Sequence, residues 1–456
     1  MLIQSLSVSS VPSAVKGLRP PQMRSDEIAR VVSDILADVR LRGDEALVSA
    51  TARLDWPEVS AADIRVPVED LRAALERLDS DLRIALELAR DNCAWFHRHE
   101  LVPDWEEVAD QGQRIGIRQR PVRRAGLYVP GGLGSYASSV IMNVVPAQVA
   151  GVAELAICTP PGRDGSVNES VMAAAHLLGV EEVYRLGGAQ AVGALAYGTE
   201  TVGRVDVISG PGNAYVNEAK RQVFGIVGID SLAGPSEVLI IADPNARVDW
   251  VAADLLAQEE HGSGAEAVLM GHSAEFCAQV SSVIEKLRMG ATGAGEAAAD
   301  VGVTARGADA GDHAAAADSA TAEASSRLFA FYPEAGQDFV EVACALADEY
   351  APEHLEIHFD HPRDLLDRLH NAGAIFLGHH TPTAFGDYVA GSNHVLPTGG
   401  SARFASALGV QTFMRRQSLI ELGPEAAAAL APPLARLAES EGFSFHKHSA
   451  QLRGGA

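Results

Sequence analysis

The sequence predicts an α/β protein with two parallel-sheet domains and small helical appendages at both ends. Between residues 124 and 243, short apolar strands alternate with helix-length segments at the spacing of parallel crossovers. A chain of 456 residues also exceeds what one core usually serves, which indicates two larger domains. The 43 glycines and few aromatic residues are typical of many tight turns between strands and helices.

The formal net charge of −24 indicates which partners to expect. This charge repels phosphate backbones and anionic membranes, so nucleic acid and lipid are disfavoured and a small molecule is favoured. The apolar region from Tyr136 to Cys158 is interrupted by polar residues, which predicts buried core and not a membrane span.

The cysteines and the N-terminus favour a cytoplasmic location. The four cysteines are far apart and form no CxxC pair, a pattern typical of reduced, buried thiols: Cys93, Cys158, Cys277 and Cys344. The first residues have no basic segment and no sustained apolar run, so we expect no signal peptide.

The N-terminal quarter of the chain is predicted to be helical. Residues 1–23 are expected to form an arm. Residues 24–99 alternate apolar and charged positions at helical spacing, which predicts two or three amphipathic helices.

From Arg124 the pattern changes to alternating strands and helices, the order of repeated βαβ units. Strands are predicted at GLYVP, ELAICTPP, EEVYRLGG, VDVISGPGN and SEVLIIAD, the last over 236–243. Helices are predicted at SSVIMNVVPAQVAG, VMAAAHLLG, AQAVGALAYG and AYVNEAKRQVFG, followed by one over 248–261.

Residues 290–326 are a low-complexity segment rich in Ala, Gly and Asp. Without large apolar side chains the segment cannot offset its ordering entropy, which predicts a mobile surface loop. An Ala-rich helix over part of it is the alternative. A strand at RLFAFY, a helix at DFVEVACALADEY and a helical tail over 409–456 follow.

The stretch AQEEHGSG, residues 257–264, holds four metal- or proton-competent side chains in a row. On a helix, side chains three residues apart lie close together, so Gln258 and His261 would share one face of the helix. Glu259 and Glu260 would point away from that face. A hydrogen-bonded structural pair is the alternative to a ligand pair.

Three further clusters carry titratable groups. Glu353 and His354 follow a helix-ending proline, where proton transfer near neutral pH is feasible, although a solvated surface pair is the alternative. Asp387 and His394 lie among glycines that permit sharp turns. Glu441 and His446 are too far apart on one helix for a standard ligand pair and by themselves indicate a surface tail.

Standard cofactor motifs are missing. The sequence has no HExxH or CxxC metal motif, no GxxxxGK[ST] phosphate loop, and a PGGLGSY turn without GxGxxG spacing. Nitrogen and oxygen donors of the kinds present suit zinc or a similar ion, but their spacing alone does not select a metal.

Taken together, the motifs resemble the histidinol dehydrogenase family from about residue 24 to the C-terminal tail. The resemblance is carried by GLYVPGG, GGAQA, SGPGNAYV, AGPSE, AQ-x-EH, YAPEHLE, GDY-x-AG and NHVLPTGG. It implies two incomplete Rossmann-like domains, the first over 24–127 plus 238–408 and the second, NAD-binding, over 128–237. It also implies an intertwined homodimer whose tail, 409–456, completes the partner's site.

The resemblance also implies site residues, each at its matching position. Zinc, one ion per subunit, would be bound by Gln258, His261, Asp387 and His446, and NAD by Tyr128, Gln190 and Asn213. Glu353 and His354 would be the acid–base pair. The substrate would be lined by Ser236, Gln258, His261, Glu353, His354, Asp387, His394, Glu441 and His446.

The implied reaction is the oxidation of L-histidinol to L-histidine by two NAD through a bound aldehyde, the last step of histidine biosynthesis. A related zinc dehydrogenase acting on another small polar alcohol, such as a sulfonated diol, is the first alternative. A zinc hydrolase using Glu353 and a non-catalytic binding protein are the others. Glu259 departs from the family's usual small residue at that position.

Overall fold

The structure is a computed structural model that describes residues 1–18, 26–131, 136–262, 264–297 and 327–455, with only the backbone described over 290–297. The greater part of the predicted surface loop, residues 298–326, lies outside the described residues. Residues 290–297 continue a helix, as the alternative prediction of a partly helical segment proposed.

The strands, in chain order, are β1 Leu2–Leu6, β2 Trp105–Val108, β3 Arg114–Pro121, β4 Arg124–Tyr128, β5 Glu154–Thr159, β6 Glu182–Arg185, β7 Val207–Ser209, β8 Gly228–Ile229, β9 Glu237–Ala242, β10 Glu266–Gly271, β11 Arg327–Pro333, β12 His354–His358, β13 Ala374–Leu377 and β14 Met414–Glu421.

The α-helices are α1 Val11–Leu18, α2 Asp26–Arg42, α3 Asp44–Leu54, α4 Val68–Arg77, α5 Ser80–Arg98, α6 Ala137–Ala150, α7 Glu169–Leu177, α8 Gly188–Tyr197, α9 Ala214–Val223, α10 Val248–Glu259, α11 Ala274–Ala297, α12 Phe339–Tyr350, α13 Thr383–Tyr388, α14 Pro424–Ser440 and α15 Ser444–Arg453.

Two parallel sheets form the centre of the fold and confirm the predicted α/β class. The six-stranded sheet has the order β1-β11-β10-β9-β12-β13, and the five-stranded sheet has the order β6-β5-β4-β7-β8. In the six-stranded sheet, the direction in which successive strands are added reverses between β9 and β12. In the five-stranded sheet, it reverses between β4 and β7. Such switch points leave crevices at the carboxyl ends of the strands, where open α/β sheets bind ligands.

Burial on both faces explains why the sequence shows the central strands as apolar runs. Every residue of β9 and β10 is buried, and the apolar ones pack into cores on both sides of the sheet. Helices cover both faces of a parallel sheet, so neither face of such a strand needs polar residues.

Helices α2 to α5 occupy the region predicted to hold two or three amphipathic helices. They pack on the helices of the five-stranded sheet: α2 on α8 and α9, α4 on α7, and α5 on α6. The division of the chain into domains at residues 127 and 238 stays a prediction, and these contacts link residues 26–98 to the five-stranded sheet.

The predicted N-terminal arm begins with a strand. β1 pairs in parallel with β11 at the edge of the six-stranded sheet, from Leu2 opposite Phe329 to Leu6 opposite Pro333. α1 then packs on α12.

A third, antiparallel sheet in the order β14-β3-β2 was not predicted from the sequence. β14 pairs with β3 along its whole length, from Met414 opposite Pro121 to Glu421 opposite Arg114. The C-terminal tail is thereby attached to the segment that precedes β4, and its helices α14 and α15 pack on each other.

The four cysteines are free and buried, as the sequence predicts. Among the described helices, none combines the length and the hydropathy that a membrane crossing requires.

A buried ion pair stabilises the switch point of the five-stranded sheet. Lys220 of α9 pairs with Asp230, and their side chains are 1% and 3% exposed. Lys220 Nζ also donates to the Gly210 carbonyl at 3.0 Å, while Asp230 Oδ2 accepts the Gly210 amide at 2.8 Å. Gly210 follows β7 and has φ +113°, and a side chain there would lie 2.0 Å from the Tyr128 carbonyl oxygen.

We predict that Lys220→Met destabilises the fold by about 3–5 kcal/mol, because it leaves the buried carboxylate of Asp230 without its counter-charge. Urea unfolding followed by circular dichroism measures the loss. The control is Arg221→Met, which removes a more exposed pair with Glu218 and should change stability by at most about 1 kcal/mol. Equal effects of the two variants would contradict the structural role of Lys220.

Candidate active site

The predicted acid–base pair lies at the amino end of β12, beside the amino end of β9. Glu353 and His354 are only 6% and 2% exposed, so the alternative of a solvated surface pair is wrong. The Glu237 amide donates to Glu353 Oε2 at 3.0 Å, and His354 Nδ1 lies 3.1 Å from the Glu237 carbonyl oxygen. One residue of β9 therefore holds both members of the pair.

The contact with the carbonyl fixes the role of each imidazole nitrogen of His354. A carbonyl only accepts, so Nδ1 carries the proton that it donates to Glu237. Among the described residues, Nε2 is buried without a hydrogen-bond partner, and it faces Asp387 Oδ1 at 3.6 Å. Nε2 is therefore the nitrogen that can exchange a proton with a ligand.

Opposing effects set the protonation of His354. Burial disfavours the imidazolium and lowers the pKa, but the negative charges of Glu353 and Asp387 and the Glu237 carbonyl outweigh it and raise the pKa to about 9. Burial raises the pKa of Asp387, but the nearby His354 outweighs it, with smaller effects from His394 and His261, so that the pKa lies below its ordinary value.

Three of the four predicted zinc ligands lie near this pair. Gln258 is buried and its Nε2 donates to Ser236 Oγ at 3.0 Å. Asp387 lies on α13 and faces His354. His261 is exposed, and its charge is one of the influences that lower the pKa of Asp387.

The helix predicted over 248–261 ends two residues earlier in the structure, before His261. α10 ends at Glu259, and the chain closes in a turn in which the His261 amide donates to the Gln258 carbonyl at 3.3 Å. Gly262 has φ +90°, a conformation that terminates a helix. Gln258 is buried and His261 exposed, so they do not share one helical face.

The two glutamates of the stretch, Glu259 and Glu260, point away from the site, as predicted. Glu259 forms an ion pair at 2.5 Å with Arg288 of α11, and Glu260 is exposed. The unusual charge at position 259 therefore joins two helices.

His394 is held between two elements. Its Nδ1 lies 2.8 Å from the Asp387 carbonyl oxygen, and its Nε2 lies 3.3 Å from Ser139 Oγ of α6. Burial lowers the pKa of His394, although Asp387 opposes this, so the neutral imidazole is favoured.

Glu441 and His446 are not brought to this site within one chain. Both are exposed, and His446 contacts the ring of Phe443 at 5.2 Å between centroids. Among the described residues, neither forms a hydrogen bond or an ion pair with another predicted site residue.

The predicted cofactor residues surround the switch point of the five-stranded sheet. Tyr128 ends β4, Asn213 caps α9 after β7, and Gln190 lies in the first turn of α8 after β6. Tyr128 Oη accepts the Gly188 amide at 3.2 Å, and Asn213 Oδ1 accepts the amides of α9 at 3.0 and 3.1 Å.

Asp55, at the end of α3, was missed by the sequence analysis. Gln190 Nε2 donates to Asp55 Oδ2 at 3.3 Å, while Gln190 Oε1 is buried without a partner. Burial raises the pKa of Asp55 to about 6, although Arg163 opposes it. Gln190 is 0% exposed, so its oxygen is a fully buried acceptor, and no motif marks Asp55 in the sequence.

A second group of metal-competent side chains was also missed. In the described part of the chain, Asp254, Glu356 and His358 are the one group of three or more His, Cys, Asp or Glu residues whose ligand atoms all lie within 4.8 Å of one another. None of the three belongs to the predicted zinc set.

Comparison with known proteins identifies relatives of the whole chain. A sequence model described as histidinol dehydrogenase matches residues 18–305 and 335–454. The chain is 46% identical over 424 residues to a histidinol dehydrogenase of Prochlorococcus marinus strain MIT 9313, covering 92% of this chain and 89% of that protein. It is 43% identical over 452 residues to one of Rhodospirillum rubrum, covering 99% and 98%.

A solved structure agrees with these matches. Histidinol dehydrogenase of Elizabethkingia anophelis has a TM-score of 0.85 and 30% identity to this chain, and the alignment covers 99% of this chain and 98% of that one. The break between the two matched ranges, residues 306–334, includes most of the low-complexity segment outside the described residues.

We predict that Asp55 makes the fold less stable as pH rises. Below about pH 4 its carboxyl is neutral in both the folded and the unfolded chain, and between about pH 4 and 6 the unfolded chain ionises first. Stability is therefore lost as pH rises through the folded pKa of about 6.

The asparagine in Asp55→Asn does not titrate. The unfolding free energy of the variant minus that of wild type should therefore increase by about 2–3 kcal/mol between pH 4 and pH 7. Urea unfolding at the two pH values measures this change, and the subtraction removes other titrating groups. A difference that stays constant with pH would contradict the burial of an ionisable Asp55.

Proposed function

The chain belongs to the histidinol dehydrogenase family, and from this premise we propose that it is a zinc- and NAD-dependent oxidoreductase that converts L-histidinol to L-histidine through L-histidinal, using two NAD. The observation that carries the proposal is the buried Glu353–His354 pair, whose two members are fixed by Glu237 and whose His354 Nε2 is uncommitted. Oxidation of an alcohol requires a positioned base of this kind.

The two neighbours would divide the proton transfers. In its neutral form, which becomes populated as the pH rises toward the pKa of about 9, His354 would accept the alcohol proton at Nε2 in the first oxidation, while Nδ1 stays bonded to Glu237. Glu353 would act in the second oxidation by activating the water that hydrates the aldehyde. Glu353 Oε2 accepts the Glu237 amide and lies 3.5 Å from His354 Nδ1, and these contacts fix the position of the carboxylate.

Zinc would be held by Gln258, His261 and Asp387 of this chain with His446. The Gln258 amide nitrogen is engaged by Ser236, which leaves the amide oxygen available to an ion. An amide oxygen, a carboxylate and imidazole suit a borderline divalent ion, so the donors fit the metal. When bound, the metal would polarise and orient the substrate's imidazole and amine.

NAD would bind at the switch point between β4 and β7. Tyr128 ends β4, Asn213 follows β7 and Gln190 lies in the helix after β6, and among the described residues Gln190 Oε1 is a buried acceptor without a partner. The orphaned oxygen supports the placement, because a buried acceptor left unpaired costs about 1–3 kcal/mol unless a ligand satisfies it.

A homodimer would complete the site. Glu441 and His446 are exposed on a tail that β14 attaches to β3, where they can face a second copy. Glu441 of one subunit would then meet the substrate's ammonium in its partner, and His394 and Ser236 would line the same pocket. The four free, buried cysteines support a reducing compartment such as the cytoplasm.

The decisive experiment is NADH formation by the purified protein with L-histidinol, with and without a chelator. We expect two NADH per histidinol and loss of activity on chelation, restored by zinc. No reaction with histidinol but turnover of another small polar alcohol would instead identify a related dehydrogenase. Turnover that is indifferent to NAD would contradict the proposal altogether.

The division of roles predicts opposite defects in two variants. His354→Asn should slow oxidation of L-histidinol by about 10²–10⁴-fold and affect oxidation of L-histidinal less. Glu353→Gln should slow L-histidinal oxidation by a similar factor and spare the first step. Single-turnover NADH formation with each substrate separates the two steps. A His354→Asn variant that retained full alcohol oxidation would refute the assignment.

A further inference from the structure

A row of polar side chains runs along the buried face of β12. Side chains alternate between the two faces of a strand, so His354, Glu356 and His358 project to one side while Leu355 and Ile357 enter the core on the other. Asp254 of α10 approaches the same side from above the sheet, and the ligand atoms of Asp254, Glu356 and His358 converge within 4.8 Å.

The distances in this trio match ligands of a common ion. His358 Nε2 lies 3.3 Å from Glu356 Oε2 and 3.6 Å from Asp254 Oδ2. Charge-assisted hydrogen bonds from nitrogen to carboxylate are shorter, about 2.7–2.9 Å. Ligand atoms bound to one tetrahedral zinc ion at about 2.0–2.2 Å lie about 3.4 Å apart.

The trio also lacks a compensating cation. The side chains of Glu356 and His358 are 1% exposed and that of Asp254 is 15% exposed. Among the described residues, no lysine or arginine forms an ion pair with either carboxylate. Burial is the main cause that raises the pKa of Asp254, to about 7, and the negative charge of Glu356 adds to it. The charge of His358 opposes both effects. A divalent ion would offset both carboxylates and bind a neutral imidazole.

Glu356 is oriented for such a role by α13. The amide and the hydroxyl of Thr383 both donate to Glu356 Oε1, which leaves Oε2 directed at His358. Hydrogen bonds of this kind hold metal-binding carboxylates in place in characterised sites.

The position in the fold is one where ligands bind. His358 ends β12 opposite Ala242, the last residue of β9, at the switch point of the six-stranded sheet. A second imidazole, His379, lies 6.0 Å away between ring centroids, and the Nδ1 atoms of both rings are buried without a hydrogen-bond partner. The proposed active site occupies the opposite, amino ends of β9 and β12.

We propose that Asp254, Glu356 and His358 bind a divalent transition-metal ion such as zinc, in addition to the ion proposed at Gln258 and Asp387. The second ion would tie α10, β12 and α13 together. This second ion would take no part in the proposed reaction, because none of its ligands belongs to the acid–base pair or to the first set of zinc ligands.

The test counts the zinc retained by full-length protein after chelator dialysis, reconstitution with zinc and removal of unbound ion. We expect two ions per chain in wild type and one in each of His358→Gln and Asp254→Asn. His261→Asn should also hold one ion, and the double variant His261→Asn/His358→Gln none. His370→Gln, an exposed histidine paired with Asp348, is the control and should hold two.

One ion in wild type, unchanged in His358→Gln and Asp254→Asn, would overturn the second site and indicate that the trio shares a proton. One ion that is lost in His358→Gln but kept in His261→Asn would support the second site and contradict the zinc ligands of the proposed function. Circular dichroism checks folding, and Asp254→Asn, which preserves side-chain volume, decides the result if His358→Gln does not fold.

Discussion

The main chain of Glu237 is the constraint on which the candidate active site depends. Its amide and its carbonyl hold Glu353 and His354, and its own carboxylate accepts the Gly399 amide at 3.2 Å. A central strand of a parallel sheet cannot shift without breaking the ladder on both sides. The geometry of the acid–base pair is therefore set by the sheet and is in place before a ligand arrives.

The parallel sheets could be predicted from the sequence, whereas the antiparallel sheet could not. SEVLIIAD predicted β9 because a strand covered on both faces is apolar throughout and ends at turn residues. β14 is largely exposed and pairs with β3 from the other end of the chain, so neither strand shows an apolar run or a hairpin turn. Such pairing depends on tertiary contacts that leave no local signal.

The candidate site shows the same limit at the level of single residues. The assignment of Tyr128, Gln190 and Asn213 to the cofactor came from the family resemblance, whereas their position at or after the ends of β4, β6 and β7 could be predicted locally. The burial of Glu353 and His354 could not be predicted, because it comes from the neighbouring strand β9. His354-Leu355-Glu356-Ile357-His358 did carry a signal that went unused: polar residues at every second position of a buried strand.

The short helix α13 contacts both ends of β12 and so adds to the connection that β12 and α10 already make between the two proposed sites. Its first residue, Thr383, is bonded to Glu356, and its fifth, Asp387, faces His354. A ligand that orders one end of so short a helix also lowers the conformational entropy of the other end. A ligand that binds at the other end then has less conformational entropy to remove. Thermodynamic linkage then makes the effect reciprocal, so occupancy at the carboxyl end of β12 and occupancy at its amino end would strengthen each other without a change in backbone fold.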